Sequence, residues 1–207
     1  FRSFLYNNSG KEHNVSKLTN WERGYITGFF AGDGSTTNLP HRVLRFHLNK
    51  LKEYHLAQYL ASLLEKASLR PHLELPSNGN VVIVRVYSKA LYTMVHQYLD
   101  WEDHRKTYTV RLRQTDELPS EFIQGFIGGL ADSDGGVVSS KRWYQFASVS
   151  DELIKQLNNN MLTSLGIRTN ERTHVSKRGN RRPLYCVQIP IGDAERFSIK
   201  LRPLTRI

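Results

Sequence analysis

The sequence predicts an α/β (α+β) chain of two pseudo-symmetric units whose leading helices meet at the centre of the molecule. Three observations predict it. A glycine-striped segment at 21–34 returns at 122–135, so that Gly24, Gly28, Asp33 and Gly34 fall on Gly125, Gly129, Asp134 and Gly135. After each copy come stretches in which oily and polar residues alternate, the period of a half-buried strand. Amphipathic helical stretches then follow at matching places, and a repeat of this length makes the halves equivalent units.

The stripe sets the centre. Spacing four keeps its small residues on one helix face and leaves the aspartate at the carboxyl end. A glycine inside a helix costs about 1 kcal/mol relative to alanine. Several on one face imply a partner helix that must come very close, and the available partner is the other copy.

The first element is an aperiodic polar arm, 1–18. Thr19 and Glu22 then form a capping box, and Gly34 suits a left-handed stop. In the strand 42–49, Leu44, Phe46 and Leu48 point one way and Arg45, His47 and Asn49 the other. An amphipathic helix over 52–66 buries Leu56, Tyr59, Leu60, Leu63 and Leu64. A second alternating strand, 69–75, turns at 77–80 into a returning strand, 81–87, with Val82, Val84 and Val86 inside. A third helix covers 89–99, and the charged stretch 102–118 reads as a linker. The first unit is thus 19–118 and the second 119–207.

In the second unit, Ser120 is expected to cap the striped helix and Glu121 to suit its positive end. A strand over 143–150, a helix over 151–165 stopped by Gly166, and strands over 167–175 and 184–190 repeat the order. The basic turn 176–182 joins the last two strands, and Asp193 opens a last helix that reads as cut short. A fourth strand for each sheet falls at 35–39 and 136–140. The chain opens on Phe1, which leaves room for an initiator region or precursor before it.

Composition narrows the function. The net charge is +10 and both halves are basic, so a polyanion is the expected partner, nucleic acid before a membrane surface. No apolar run reaches the roughly 18 residues of a membrane span. One cysteine excludes an internal disulfide framework and suits a reducing, intracellular compartment. The eight histidines lack zinc spacing, and no Ser-His-Asp or phosphate-loop pattern is present.

If the striped helices pack about a pseudo-twofold axis, Asp33 and Asp134 come together. Two adjacent carboxylates repel unless a cation lies with them. Mg²⁺ suits one or two carboxylates plus phosphate oxygens and water, which points to phosphodiester hydrolysis, one carboxylate for each strand of a duplex. Asp132 has Ala31 opposite it in the repeat and reads as structural.

Ile26-Thr-Gly-Phe-Phe-Ala-Gly-Asp-Gly34 and Ile127-Gly-Gly-Leu-Ala-Asp-Ser-Asp-Gly135 resemble the two motifs of the LAGLIDADG homing endonucleases. The likeness extends to the strand and helix order from Thr19 onward. The first motif has Ala31 at its sixth position, where the family has Asp. The resemblance implies a monomer in which two αββαββα units form a saddle over double-stranded DNA. It implies cleavage of both strands across the minor groove to leave short 3′ overhangs, with Mg²⁺ or another divalent cation such as Mn²⁺ as cofactor. It assigns Asp33 and Asp134 as metal ligands, with Gly32 and Ser133 beside them, and Asn49 and Lys106 as polar residues around the attacking waters. Ser148 is the candidate mate of Asn49.

On that architecture the polar strand faces become a DNA surface. The residues concerned are Arg42, Arg45, His47, Arg70, His72, Arg85 and Tyr87 in the first unit. In the second they are Lys141, Arg142, Arg168, Asn170, Arg172, His174, Lys177, Arg178, Arg181, Arg182 and Gln188. Arg pairs with guanine edges and Asn or Gln with adenine, while turn residues hold phosphates. The rival readings are a maturase of the same fold that binds intron RNA, and a DNA-binding regulator that does not cut.

Overall fold

The computed structural model describes residues 15–37, 42–77, 79–102, 104–113, 117–138, 142–174 and 182–195. Two helices form its axis, α1 (Asn20–Asp33) and α5 (Ser120–Asp134). The glycines explain their closeness. A Cβ at Gly24 or Gly28 would overlap the Phe122 or Phe126 carbonyl, and one at Gly125 or Gly129 the Trp21 or Tyr25 carbonyl. Each helix therefore lays its backbone directly on the other's. The outer sides of both helices bury Tyr25, Ile26, Phe29 and Phe30, or Phe122, Phe126, Ile127 and Leu130, into one continuous core.

From each helix the chain passes straight into a four-stranded antiparallel sheet. The first contains β1 (Gly34–Thr37), β2 (Val43–Asn49), β3 (His72–Glu74) and β4 (Val81–Tyr87), in the order β1-β2-β4-β3. Helices α2 (Tyr54–Lys66) and α3 (Lys89–Tyr98) bury Leu56, Leu60, Leu64, Leu91 and Val95 with the inward Leu44, Phe46, Val82, Val84 and Val86. The second sheet, β7 (Gly135–Val137), β8 (Trp143–Ser148), β9 (Asn170–His174) and β10 (Leu184–Pro190), repeats the order as β7-β8-β10-β9. The fourth strands lie where the sequence placed them, each starting one residue earlier. The capping box at Thr19 is present: its hydroxyl accepts from the Glu22 N–H, and Glu22 accepts from the Thr19 N–H.

Several expectations change. Gly34 is extended (φ −84°), because the chain enters β1 at once; glycine is required there because a Cβ would overlap Phe30. Ser120 does not cap α5. It is already the first helical residue behind Pro119, and its hydroxyl accepts from Gln124 instead. The helix over 151–165 is regular only in α6 (Asp151–Gln156). It then widens into a π-turn, Leu157–Leu162, where the Thr163 hydroxyl donates to the Asn158 carbonyl five residues back, and tightens again before left-handed Gly166. Strand β8 stops at Ser148, whose hydroxyl accepts from the Ser150 N–H while Ser150 caps α6. The last helical stretch is under way by 191, two residues before Asp193.

The charged stretch after α3 is more than a tether. Strand β5 (Leu99–Asp100) pairs with β6 (Arg111–Leu112), and the turn α4 (Lys106–Thr109) lies between them. Val110 and Leu112 are buried. The Gln156 side chain closes both backbone groups of Leu112, at 2.8 and 2.9 Å, and the Ser150 hydroxyl donates to the Val110 carbonyl at 2.7 Å. The crossing thus fastens the first unit to the second. Among the described residues no helix is long and apolar enough to cross a membrane.

Candidate active site and nucleic-acid interface

The glycine stripes fix where the carboxylates go. Asp33 ends α1 and Asp134 ends α5. A Cβ on Gly32 would overlap the Ser133 hydroxyl and come within 2.9 Å of the Asp134 carboxylate, so the two helix ends touch here. The electrostatics carry the mark of this crowding. Burial pushes the Asp33 carboxyl up to about 7; Asp134 and Glu53 push the same way and Lys106 opposes. Burial also raises Asp134, again against Lys106.

Lys106 reaches the centre from α4. Its ammonium donates to the Ala31 and Gly32 carbonyls at 2.8 and 3.2 Å, a favourable place for a cation at the end of a helix. Burial lowers it to about 8, while Asp134 and Asp33 hold it up. It therefore responds to both carboxylates at once. The Gly32 carbonyl already accepts from Lys106, so a metal ion on that oxygen competes with an ammonium. The Ser133 hydroxyl donates to the Leu130 carbonyl.

Asn49 is used differently from the sequence expectation. Its side-chain oxygen accepts from the Leu51 and Lys52 N–H groups at 3.0 and 3.1 Å, so it shapes the corner between β2 and α2. Ser148 does the same for Ser150 in the second unit. The charge at this corner that acts on Asp33 is that of Glu53, whose carboxylate accepts from the Asn49 N–H. Glu53 carries no motif; the fold alone returns it to Asp33.

The strand registers order the proposed DNA surface into rows. In the first sheet Ser35, Arg45, Arg85 and His72 stand side by side across four strands. Arg85 also pairs with Glu74 at 2.7 Å. The equivalent row in the second sheet is Gly136, Gln145, Gln188 and Asn170. Gln145 was missed by the sequence reading because its partner lies 43 residues on. The Gln188 amide donates to it at 2.7 Å, and Gln188 is buried rather than open. Tyr87 is exposed at the end of β4, and Arg172 and His174 are exposed on β9.

Other sequence candidates sit elsewhere. Arg42 precedes β2 with a left-handed backbone, its guanidinium 6.0 Å over the Tyr92 ring of α3. Arg70 lies before β3, which begins only at His72. Arg168 lies before β9 and pairs with the buried Asp193 at 3.3 Å. Arg182 stacks 4.1 Å over the Tyr108 ring of α4. Arg142 is exposed just before β8. Lys141, Lys177, Arg178 and Arg181 lie outside the described residues.

This arrangement defines a class: two pseudo-equivalent sheets hung on one pair of touching helices that end in paired carboxylates. Residues 121–198 match the LAGLIDADG-like domain family. The whole chain resembles I-DmoI in complex with DNA and Mn (TM-score 0.60, 16% identity, covering 91% of this chain and 99% of that one). It also resembles I-WcaI bound to its DNA recognition sequence (0.58, 16%, 91% and 84%). A third likeness is to full-length DUF199/WhiA from Thermatoga maritima (0.60, 11%, 88% and 55%). No curated protein matches by sequence. At these identities the likeness to solved structures is one of fold, and the fold is that of the LAGLIDADG homing endonucleases. The family match by sequence covers the second unit, and the likeness of fold extends to both.

Proposed function

We propose that the protein is a site-specific endonuclease that binds double-stranded DNA as a monomer and hydrolyses one phosphodiester in each strand with a divalent cation. The observation that carries this reading is the pairing of Asp33 and Asp134 at the touching ends of α1 and α5.

Among the described residues no three His, Cys, Asp or Glu side chains converge. Two carboxylates that burial has raised, Asp33 also through the Asp134 charge, nevertheless fit a hard divalent ion that takes its remaining ligands from phosphate and water. Asp33 and Asp134 would hold it. When bound, such an ion polarises the phosphoryl group and acidifies water. Lys106 adds positive charge beside the phosphate, and being lowered to about 8 it can change its share of charge near neutral pH. The two strand rows would lie along the grooves, Arg45 and His72 reading or clamping one half-site and Gln145 and Asn170 the other. Cuts across the minor groove would leave short 3′ overhangs.

The test is a randomised duplex library incubated with Mg²⁺ or Mn²⁺, with recovery of double-strand products. Asp33→Asn and Asp134→Asn should each lower cleavage by about a thousandfold or more while duplex binding stays within a few-fold. Intron RNA binding with no cut duplex would replace this reading by the maturase. Duplex binding untouched by either substitution, with no cutting, would replace it by the regulator.

A further inference from the structure

Two facing amides of the second sheet are fixed in one order. Tyr144 and Phe146 are buried in the core, so Gln145 between them stands on the opposite face of β8, directly across from Gln188 of β10. Gln188 is only 5% exposed and offers a partner almost no surface, whereas Gln145 is half-buried. The Gln188 amide N–H donates to the Gln145 side-chain oxygen at 2.7 Å. A carboxamide carries its donors and its acceptor on opposite sides of one carbon, so holding the oxygen toward β10 turns the Gln145 NH₂ away from it. That side has room: Gly136 is the next residue in the row, and a Cβ there would meet nothing within 4 Å. The first sheet is built otherwise. Arg85 stands in the place of Gln188 and pairs with Glu74 at 2.7 Å, while its cross-strand neighbour Arg45 carries the same charge.

We propose that Gln188 is a positioning residue for sequence recognition: it holds the Gln145 carboxamide with its N–H groups outward, so that this place in the row takes a base edge bearing an acceptor and rejects cytosine on the strand it faces. The inference rests on the duplex-binding part of the reading above. In the major groove adenine and guanine present N7, guanine also O6, and thymine O4, whereas cytosine presents only its N4 donor. An unconstrained glutamine turns its amide over and takes either kind of edge. Here the turn would set the Gln145 NH₂ against the Gln188 NH₂, donor against donor, and leave a buried N–H without its acceptor. The pair thus converts a side chain that reads both ways into a donor.

The experiment selects duplexes from a randomised library by binding in EDTA, for wild type, Gln145→Ala, Gln188→Leu and Gln188→Glu. The position at which Gln145→Ala loses its preference is then filled with each of the four base pairs, and the four duplexes are compared by fluorescence anisotropy. Wild type should bind the duplex with cytosine on the contacted strand about fivefold to tenfold more weakly than the others, the worth of one hydrogen bond. Gln188→Leu should bring that ratio to within about twofold. Gln188→Glu, whose carboxylate only accepts, should turn the Gln145 amide over and favour cytosine or adenine. A merely structural role for Gln188 would weaken all four duplexes alike and keep the ratio. That result, a selected site with no position sensitive to Gln145→Ala, or cytosine preferred by wild type would each overturn the proposal. Wild type that selects no duplex would overturn the DNA reading first, whereas selection without cleavage in Mg²⁺ would overturn the nuclease reading and leave this inference standing on its own ratio.

Discussion

The rows at the heart of the two sheets occupy equivalent positions and carry opposite chemistry. The first is Ser35, Arg45, Arg85 and His72; the second is Gly136, Gln145, Gln188 and Asn170. One presents two guanidiniums and an imidazole, the other three neutral amides, of which Gln145 and Gln188 hydrogen-bond to each other. Behind these rows the inward residues remain alike, Phe46 answering Phe146 and Val84 answering Val187. The comparison separates two demands on the chain. Touching helices and a closed core bind both copies to one pattern, whereas outward positions are free to diverge. On the nuclease reading proposed above, a pair of unlike faces on a like scaffold would suit a DNA target without a palindrome.

The sharpest way to break the symmetry is at the glycines. Gly129→Ala would set a methyl against the Tyr25 carbonyl, a backbone atom that cannot rotate away. The helices would have to separate, at a cost of about 3 kcal/mol or more. Gly136→Ala, seven residues on, meets nothing and should stay within about 0.5 kcal/mol. Chemical denaturation of the two variants compares them directly, and similar midpoints would refute the close-contact account.

The carboxylates come next. Asp33 binds its proton up to about pH 7 in the fold, against an ordinary value of 3.8. Between those values the folded chain holds a proton that the unfolded chain has released, so stability falls as pH rises through that window. In EDTA, wild type should therefore melt lower at pH 8 than at pH 5. Asp33→Asn removes the titration and should raise the melting temperature at pH 8 by about 2–4 °C, as about 1 kcal/mol does in a chain of this size. Added Mg²⁺ should stabilise wild type more at pH 8 than at pH 6, because proton and cation compete for the same oxygens. Melts that are flat with pH would show that Asp33 is not raised.

Much of this was legible from periodicity, because the glycine stripe, the alternating strands and the helix faces each leave a local trace. The repeat supplied the pairing of Asp33 with Asp134, and the capping box was legible from Thr19 and Glu22 alone. What stayed hidden depends on partners remote in the chain. Glu53 reaches Asp33 only once β2 has run back past α1. Gln145 gains meaning from Gln188 across a strand pair. The stretch after α3 looked like a linker because it is dense in charge, although Lys106 turns inward to the α1 end. Its structure rests on Val110 and Leu112, whose hydrogen-bond partners, Ser150 and Gln156, lie in the other unit. Gly34 misled for the opposite reason: glycine at a helix end usually signals a left-handed turn, but here it serves a contact with Phe30.

The interface itself holds a smaller asymmetry that can be tested against its own mirror image. Where α1 has Tyr25, α5 has Phe126, and where α5 has Asp132, α1 has Ala31. On one side of the axis, therefore, the Tyr25 hydroxyl donates to the buried Asp132 carboxylate at 2.8 Å, and on the other the equivalent positions are apolar. Burial, followed by the Asp132 charge and this hydrogen bond, raises the Tyr25 phenol well above its ordinary range. Tyr25→Phe should cost about 1–3 kcal/mol, because it removes a donor from a buried carboxylate while leaving the carboxylate in place. Tyr25→Phe with Asp132→Ala recreates the Phe126 and Ala31 pairing on the other side of the axis. The double variant should be no less stable than the single one, since removing both partners of a buried pair avoids stranding either. A double variant less stable by the full sum of its singles would mean that Asp132 serves other groups at the interface more than it serves Tyr25.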